Sequence, residues 1–493
     1  MFKGTLEAKK IFEENIERPI LYYFDPDVDG LISGYLFCYY LEAMGLEYSF
    51  HINDNRKHGF LLEPELLRGY MVICSDFSID ENILRKLEEL DIVVICIDHH
   101  EISGELRLWD KGVVINNQYY FEEESKRYLS GAGVVFEVLR DWNSNFDTRE
   151  NRALVGITLL SDVRPIENLE AREYLNCTYS MDNSEGYFKY LIDNTIKNNF
   201  GFGAPKMDRN FIDFTFSPRI NSMLRFNESF EAVEFILGHG MHTEDKRELQ
   251  KAYAEFLIKK ASILELTHIN VVTIQKSELK DFWEYLAING KCIGENNQPM
   301  WNEFSLIDIE PANFIGLACS RIKDTGKDTV IALLENDRLL RGSFRGKFDG
   351  IDYLDIFRKY DSIAFGHKGA FGIHEIDLRE GTVEKLNNNI GFVEKDYKPT
   401  ATVLQVENLS MFYLNRARKI AEKNNFVRDA YRTYVKYNGD NIIRTMGGEK
   451  YVEYMVDGYR VKCFDSELGV KEGLILPITE KGYVNLYLKD LTL

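Results

Sequence analysis

Three apolar runs in the first hundred residues each stop at an acid. Ile20-Leu21-Tyr22-Tyr23-Phe24 runs into Asp25, and Tyr70-Met71-Val72-Ile73-Cys74-Ser75 into Asp76. Asp91-Ile92-Val93-Val94-Ile95-Cys96-Ile97 runs into Asp98-His99-His100. Short continuous apolar runs read as strands buried on both faces of a parallel sheet. Open α/β sheets place ligands at the carboxyl ends of their strands, so these tips lie where chemistry takes place. Three tips rich in Asp and His describe one metal-binding crevice.

The intervening sequence fits a doubly wound parallel sheet. An apolar helix follows Gly30 and runs to Met44, a strand lies near 48–51, helices near 63–67 and 80–90, and a further strand at 112–116. Residues 128–265 read as helical: Gly131–Leu139 as a close-packing helix, Ala153–Leu160 as a helix ended by Pro165, and a long charged connector helix over about 243–266. A second, smaller α/β unit begins at Ile269, with helix 313–321 and strands 329–334 and 338–344. It ends in the glycine-rich Gly366-His367-Lys368-Gly369-Ala370-Phe371-Gly372. Residues 401–493 read as a basic helix followed by short strands near 451–455, 459–464, 474–477 and 484–488. The expected division is 1–242, 243–267, 268–398 and 399–493, the last an α+β segment that loosely suggests an OB-like domain.

A length of 493 residues allows two or three cores. The formal charge of -19 argues against coating nucleic acid through bulk electrostatics, though not against a local basic track. The 28 Tyr and 32 Phe serve packing or base stacking. Seven scattered cysteines without a CxxC pair read as reduced core residues of a cytoplasmic protein. The start of the chain has no signal-peptide pattern and no apolar run reaches membrane-spanning length, so a soluble protein with no membrane partner is expected.

Asp25-x-Asp27-x-Asp29-Gly30 packs three carboxylates into one strand-to-helix turn, a donor set for hard divalent cations. A calcium-binding EF-hand would require Glu six residues past the glycine, and the chain has Leu36 there, inside the apolar helix. Taken singly, Asp76 reads as an N-cap of the 80–90 helix, Asp98-His99-His100 as a polar loop, and Asp162 as a turn before Pro165. One metal site explains all of them together.

The ordered set Asp27-x-Asp29-Gly30, Asp76, Asp98-His99-His100 and Asp162 resembles the four motifs of the DHH phosphoesterase family. Gly366-His367-Lys368-Gly369 is similar to the GGH element of the accompanying DHHA1 domain, with Phe365 in place of its first glycine. Ser217-Pro218-Arg219-Ile220-Asn221, the expected connector and Arg341-Gly342-Ser343-Phe344-Arg345 look most like the RecJ-type single-strand-specific exonucleases. The resemblance covers roughly 19–395; residues 275–311 look like an insertion.

The resemblance implies two Mn²⁺ or Mg²⁺ ions about 3.5–4 Å apart, clamping a phosphodiester and activating water. Asp76 is then the bridging ligand, Asp25 and Asp27 serve one ion, and Asp29, His99 and Asp162 the other. His100 faces the phosphate or supports the ligands, and Asp98 orients the histidines. Arg219, Ser343 and Arg345 become candidates for a terminal phosphate, Gly366, His367 and Lys368 for another, and Asn221 a further substrate-binding candidate.

The activity implied is 5′→3′ hydrolysis of single-stranded DNA. Phosphodiester cleavage of short oligonucleotides, nucleotide phosphates or cyclic dinucleotides is the second reading, and a non-catalytic repair scaffold the third. Between 411 and 436, Arg416, Arg418, Lys419, Lys423, Arg428, Arg432 and Lys436 are interleaved with Phe412, Tyr413, Phe426, Tyr431 and Tyr434. This stretch reads either as a single-strand track or as a helix docking on acidic surfaces.

Overall fold

The computed structural model describes residues 1–54, 57–100, 108–118, 124–162, 164, 169–181, 186–195 and 207–239. Farther along it describes 262–265, 269–275, 312–325, 329–336, 339–346, 351–359, 363–376, 384–386 and 388–391. Beyond these it describes 404–405, 433–436, 442–446, 451–456, 459–464, 472–480 and 483–490. The chain divides into two compact units. One comprises Met1–Arg321, Thr329–Gly346 and Asp352–Gly391, and the other Ile322–Asp328, Lys347–Ile351 and Phe392–Leu493.

The first sheet is built from β1 (Ile20–Phe24), β2 (Tyr48–Ile52), β3 (Met71–Ser75), β4 (Val93–Asp98), β5 (Leu108–Trp109) and β6 (Gly112–Asn116) in the order β2-β1-β3-β4-β6-β5. All neighbours pair in parallel except β5, a short antiparallel edge strand beside β6. Every residue of β3, β4 and β6 is buried, as expected of parallel strands covered on both faces.

The register carries the functional consequence. Tyr23 pairs with Cys74, Cys74 with Cys96, and Cys96 with Val114. Asp25, Asp76, Asp98 and Asn116 each stand two residues beyond that row, so four polar side chains emerge at one level of one sheet end.

The helices of this half are α1 (Thr5–Glu14), α2 (Val28–Ala43), α3 (Glu81–Glu89), α4 (Gly131–Trp142), α5 (Arg149–Ser161), α6 (Leu169–Tyr179) and α7 (Gly186–Thr195). After them come α8 (Arg209–Phe211), one π-helical turn (Ile212–Phe216), α9 (Ser217–Arg225) and α10 (Ser229–Ile236). The expected helix near 63–67 is a 3-10 turn, Pro64–Leu67. The N-cap of α3 is Asp80, which accepts the Asn82 N–H, so Asp76 is not spent on capping.

A buried charge network braces the lower helices. Glu137 of α4 accepts from Lys126 Nζ at 2.5 Å, Arg140 Nη2 at 2.6 Å and the Tyr174 hydroxyl at 2.7 Å. Three donors, two of them cationic, satisfy this buried carboxylate.

The second sheet has the order β11-β12-β10-β9-β8-β7. Its strands are β7 (Ser262–Glu265), β8 (Ile269–Gln275), β9 (Thr329–Asn336), β10 (Leu339–Arg345), β11 (Ile363–His367) and β12 (Ala370–Ile376), with α11 (Ala312–Thr325) and α12 (Tyr353–Arg358). The end of the expected connector helix is corrected here: Ser262–Glu265 is a strand. Ile263 sits opposite Val272 and Leu264 opposite Val271, and this antiparallel pairing overrides the helical charge pattern. Residues 243–261, and the expected insertion beyond Gln275, lie outside the described residues.

In the second unit, β13 (Leu404–Gln405), β14 (Thr433–Lys436), β15 (Ile442–Met446), β16 (Tyr451–Val456), β17 (Tyr459–Phe464), β18 (Glu472–Glu480) and β19 (Tyr483–Asp490) form a seven-stranded mixed sheet. The expected strands all occur: Tyr459–Phe464 has the expected bounds, and the other three are longer than expected. The basic helix is corrected at its end, where Thr433–Lys436 pairs antiparallel with β18; residues 411–432 lie outside the described residues. Among the described residues no helix is long and apolar enough to cross a membrane.

Candidate metal centre

Asp25 is fully buried, and its Oδ1 has no hydrogen-bond partner. Its Oδ2 lies 2.7 Å from His58 Nδ1, a half-exposed imidazole that sequence reasoning missed. Asp27 caps α2, accepting the Gly30 N–H at 3.0 Å. Gly30 is required here, because a Cβ would lie 2.5 Å from both Asp25 Cβ and Asp25 O. Asp29, buried in the first turn of α2, accepts N–H groups from the start of α4: Gly131 at 2.6 Å and Ala132 at 2.9 Å. A helix N-terminus favours negative charge, so α4 holds this carboxylate in place.

Asp76 leaves β3 with φ 66, a left-handed conformation that Asp tolerates better than most residues. Its Oδ1 lies 2.9 Å from His99 Nε2 yet makes no hydrogen bond. The two atoms are thus close without being aligned as a hydrogen bond, a spacing compatible with two ligands of one cation. His99 Nε2 also lies 3.8 Å from Asp29 Oδ2 and 3.9 Å from Asp162 Oδ2. Asp162 is the C-cap of α5, and Arg164 Nε stands 3.8 Å from the same oxygen.

Three groups of side chains bring one ligand atom each within 4.8 Å of the others: Asp76, His99 and His100; Asp29, His99 and Asp162; and Asp25, Asp27 and His58. Buried carboxylate oxygens without donors, next to a buried imidazole, fit a divalent cation of the Mn²⁺ or Mg²⁺ type.

Asp98 stands apart from these groups. Its Oδ2 accepts from Ser78 Oγ at 2.7 Å and Asn116 Nδ2 at 3.3 Å, and its Oδ1 meets His100 Nδ1 at 2.8 Å. Asn116 Nδ2 also donates to His100 O at 3.0 Å, and Gln118 Nε2 to His99 O at 3.2 Å. These amides, unremarked in the sequence, fix the Asp98-His99-His100 backbone.

The electrostatics follow from this crowding. Burial and then the charges of Asp162 and Asp27 push Asp29 up to about 8. Burial and the neighbouring carboxylates push Asp76 well above the carboxylate range. Burial also raises Asp25, with His58 opposing. Burial depresses His99, leaving its imidazole neutral with a lone pair available. Burial lowers His100, but Asp98 outweighs it through charge and hydrogen bond and holds His100 up at about 9, a cation at neutral pH.

The other candidates fall into separate places. Arg219 is buried on α9, whose first residue, Ser217, bonds through Oγ to Ser161 Oγ at 2.7 Å, one residue before Asp162. Asn221 lies on the same helix, and its carbonyl accepts from Arg225 Nη1. On β10, Arg345 Nη1 donates to Ser343 Oγ at 2.9 Å, and Arg345 Nε to Ser320 Oγ at 3.2 Å. Gly316 of α11 borders this pair, a Cβ there coming within 3.1 Å of Arg345 Nη2. Asn313 Nδ2, on α11, donates to Arg225 O at the end of α9. Gly366 has φ 138 at the end of β11, next to His367, and Lys368 is exposed in the following turn with its Nζ 3.6 Å from Asp352 Oδ2.

A parallel sheet whose strand tips carry Asp, Asp and Asp-His-His, backed by an Asp from a following helix, defines a metal-dependent phosphoesterase fold of the DHH type. Residues 19–160 match the model described as DHH family, N-terminal domain, and this part of the chain is a DHH-family domain. Among solved structures the chain is similar to RecJ from Thermus thermophilus in complex with Mn²⁺. Identity is 17% over 99% of this chain and 71% of that one, with a TM-score of 0.67. The Mg²⁺ complex of RecJ from the same organism gives 16% identity over 99% and 70%, TM-score 0.61. An exonuclease RecJ bound to manganese gives 20% over 82% and 98%, TM-score 0.52. At these identities the likeness establishes the fold. No curated protein matches the sequence.

Proposed function

We propose that this protein is a metal-dependent phosphodiester hydrolase that degrades single-stranded nucleic acid, preferentially DNA, from the 5′ end. The observation that carries the reading is the convergence of Asp29, Asp76 and Asp162 on His99 Nε2, with Asp25 buried at the same sheet end. Asp29, His99 and Asp162 would hold one divalent ion and Asp25 and Asp27 a second, with Asp76 placed to serve both. The Mn²⁺ and Mg²⁺ bound by the RecJ neighbours favour those ions. When bound, such a pair supplies Lewis-acid activation of water and charge for the leaving oxygen.

The chain's own residues do the rest. Asp98, hydrogen-bonded to His100, favours its protonated form; in this reading the cation would face the scissile phosphate or support the ligands. The N-termini of α2 and α4 steady the acids against mutual repulsion. Arg219 binds a 5′-terminal phosphate together with Arg345 and Ser343, a guanidinium–hydroxyl pair already organised on β10. Asn221 and the turn at Gly366, His367 and Lys368 contact the sugar–phosphate backbone.

The chain's acidity supports a second substrate class, short oligonucleotides or cyclic dinucleotides, which need no long basic track. One experiment separates the two. Incubate the protein and Mn²⁺ with end-labelled single strands of graded length and with a cyclic dinucleotide. Stepwise mononucleotide release from long 5′-phosphorylated strands supports the first reading. Cleavage confined to di- and trinucleotides or the cyclic compound replaces it with the second, and no hydrolysis of any of them removes both.

A further inference from the structure

Outside the acids and histidines of the DHH motifs, the loop after β2 brings one more ligand-bearing side chain to the site. Asn53, buried at the end of that strand, organises the loop. Its Nδ2 donates to Lys57 O at 2.8 Å and to Gly59 O at 2.9 Å, the carbonyls on either side of His58. The Tyr23 hydroxyl donates to Asn53 Oδ1, approaches Gly59 O at 3.2 Å and accepts the Leu61 N–H at 3.1 Å. Phe60 is buried against the Tyr23 ring, with centroids 5.4 Å apart. Gly59 turns the chain at φ 92, where other residues are strained. Tyr23 lies two residues before Asp25 on the same strand, so the loop is tied to the element carrying the carboxylate that His58 meets.

A simple ion pair accounts poorly for this arrangement. His58 engages Asp25 Oδ2, while the second oxygen of that fully buried carboxylate, Oδ1, has no hydrogen-bond donor. A buried acceptor left unsatisfied is costly, and a cation shared by Asp25, Asp27 and His58 satisfies it. Ligand atoms of these three side chains lie within 4.8 Å of one another, and His58, half exposed, stands on the solvent side. Imidazole nitrogen suits first-row transition ions, whereas Mg²⁺ prefers oxygen donors and retained waters.

We infer that His58 is a further metal ligand, completing the Asp25–Asp27 ion position and making that position prefer Mn²⁺ over Mg²⁺. The inference rests on the metal-site reading above. It is tested on the full chain with Mn²⁺ as probe, by calorimetry with and without competing Mg²⁺ and by pulsed electron paramagnetic resonance of bound Mn²⁺, which reads directly coordinated nitrogen.

In the wild type, nitrogen couplings from two histidines are expected. His58→Ala loses one of them, weakens the affected Mn²⁺ about tenfold or more, and lets Mg²⁺ compete better. His58→Asp keeps a ligand but swaps nitrogen for oxygen, so it retains ion binding, loses the same coupling and narrows the Mn²⁺/Mg²⁺ preference. This second variant separates ligation from loop damage. Unchanged couplings and unchanged ion preference in His58→Ala overturn the assignment of His58 while leaving the remaining acids as the metal site. Failure of the wild type to bind Mn²⁺ at all overturns both.

Discussion

Asp29 Oδ2 accepts the backbone N–H of Gly131 at 2.6 Å, joining the starts of two helices across 102 residues of chain. The contact forces α4 so close to the acids that a Cβ on Gly131 would lie 2.5 Å from Asp76 Oδ1 and 2.7 Å from Asp76 Cβ. Gly131→Ala should therefore damage the site more than the helix, since Ala is the better helix former. Hydrolysis is expected to fall about 10–100-fold, with weaker Mn²⁺ binding and an unchanged far-UV circular dichroism spectrum. Full activity in this variant would show that α4 can retreat without consequence.

Asp76→Asn should abolish turnover, because a neutral amide cannot bridge two ions, yet raise the melting temperature of the metal-free protein. The substitution replaces a carboxyl that burial, and then the neighbouring carboxylates, make costly to ionise, as its raised pKa shows, with a group that never ionises. Each kcal/mol relieved is worth about 2–4 °C in a chain of this size or somewhat less. Thermal unfolding in EDTA reads the gain; near-wild-type hydrolysis would remove Asp76 from the bridging role.

Metal-free stability should depend on pH with a definite sign. Asp29 titrates near 8 in the folded chain and at about 3.9 unfolded. The folded state then binds the extra proton between those values, so stability present at pH 4 is lost as pH rises through about 8. His100, raised to about 9, acts in the same direction at its upper end. Added Mn²⁺ displaces the Asp29 proton, so its stabilising effect should grow over the same interval. Melting curves from about pH 5 to 8.5, with and without Mn²⁺, check both slopes; a metal-free melting temperature that climbs with pH contradicts the assignment.

If Arg219 and Arg345 hold a terminal phosphate, 5′-phosphorylated strands should be degraded about ten- to hundredfold faster than 5′-hydroxyl strands. Charge-assisted contacts of roughly 1.5–3 kcal/mol each set that range. Arg345→Ala should shrink the gap, while Mn²⁺ affinity stays as it was. Indifference to the 5′ end in both proteins takes the two arginines out of the substrate site.

Much of the candidate metal centre was legible in the sequence, because an acid that interrupts a buried apolar run announces a strand tip. That signal located Asp25, Asp76 and Asp98, and the turn after β1 supplied Asp27 and Asp29. His58 was not legible: it sits in a polar loop without periodicity, and only the Asn53 and Tyr23 hydrogen bonds explain where it points. Gly131 read as a packing residue because its true neighbour, Asp76, is 55 positions away in sequence but adjacent in space. The supporting amides of Asn116 and Gln118 depend on strand order, which places β6 beside β4. Residues 262–265 misled for a related reason, since their charged surroundings look helical until β8 offers a partner.

The shared row of Tyr23, Cys74, Cys96 and Val114, two residues below every polar tip, has a bearing on what sequence change this protein tolerates. Side chains alternate along a strand, so inserting or deleting one residue within β1, β3, β4 or β6 would turn that strand's tip toward the opposite layer. Substitutions that keep the apolar pattern leave every tip where it is. Homologues should thus differ freely in the letters of these strands and in the lengths of the loops between them, while the four strands keep their residue count. Length, more than identity, is the inherited quantity that keeps the acids together.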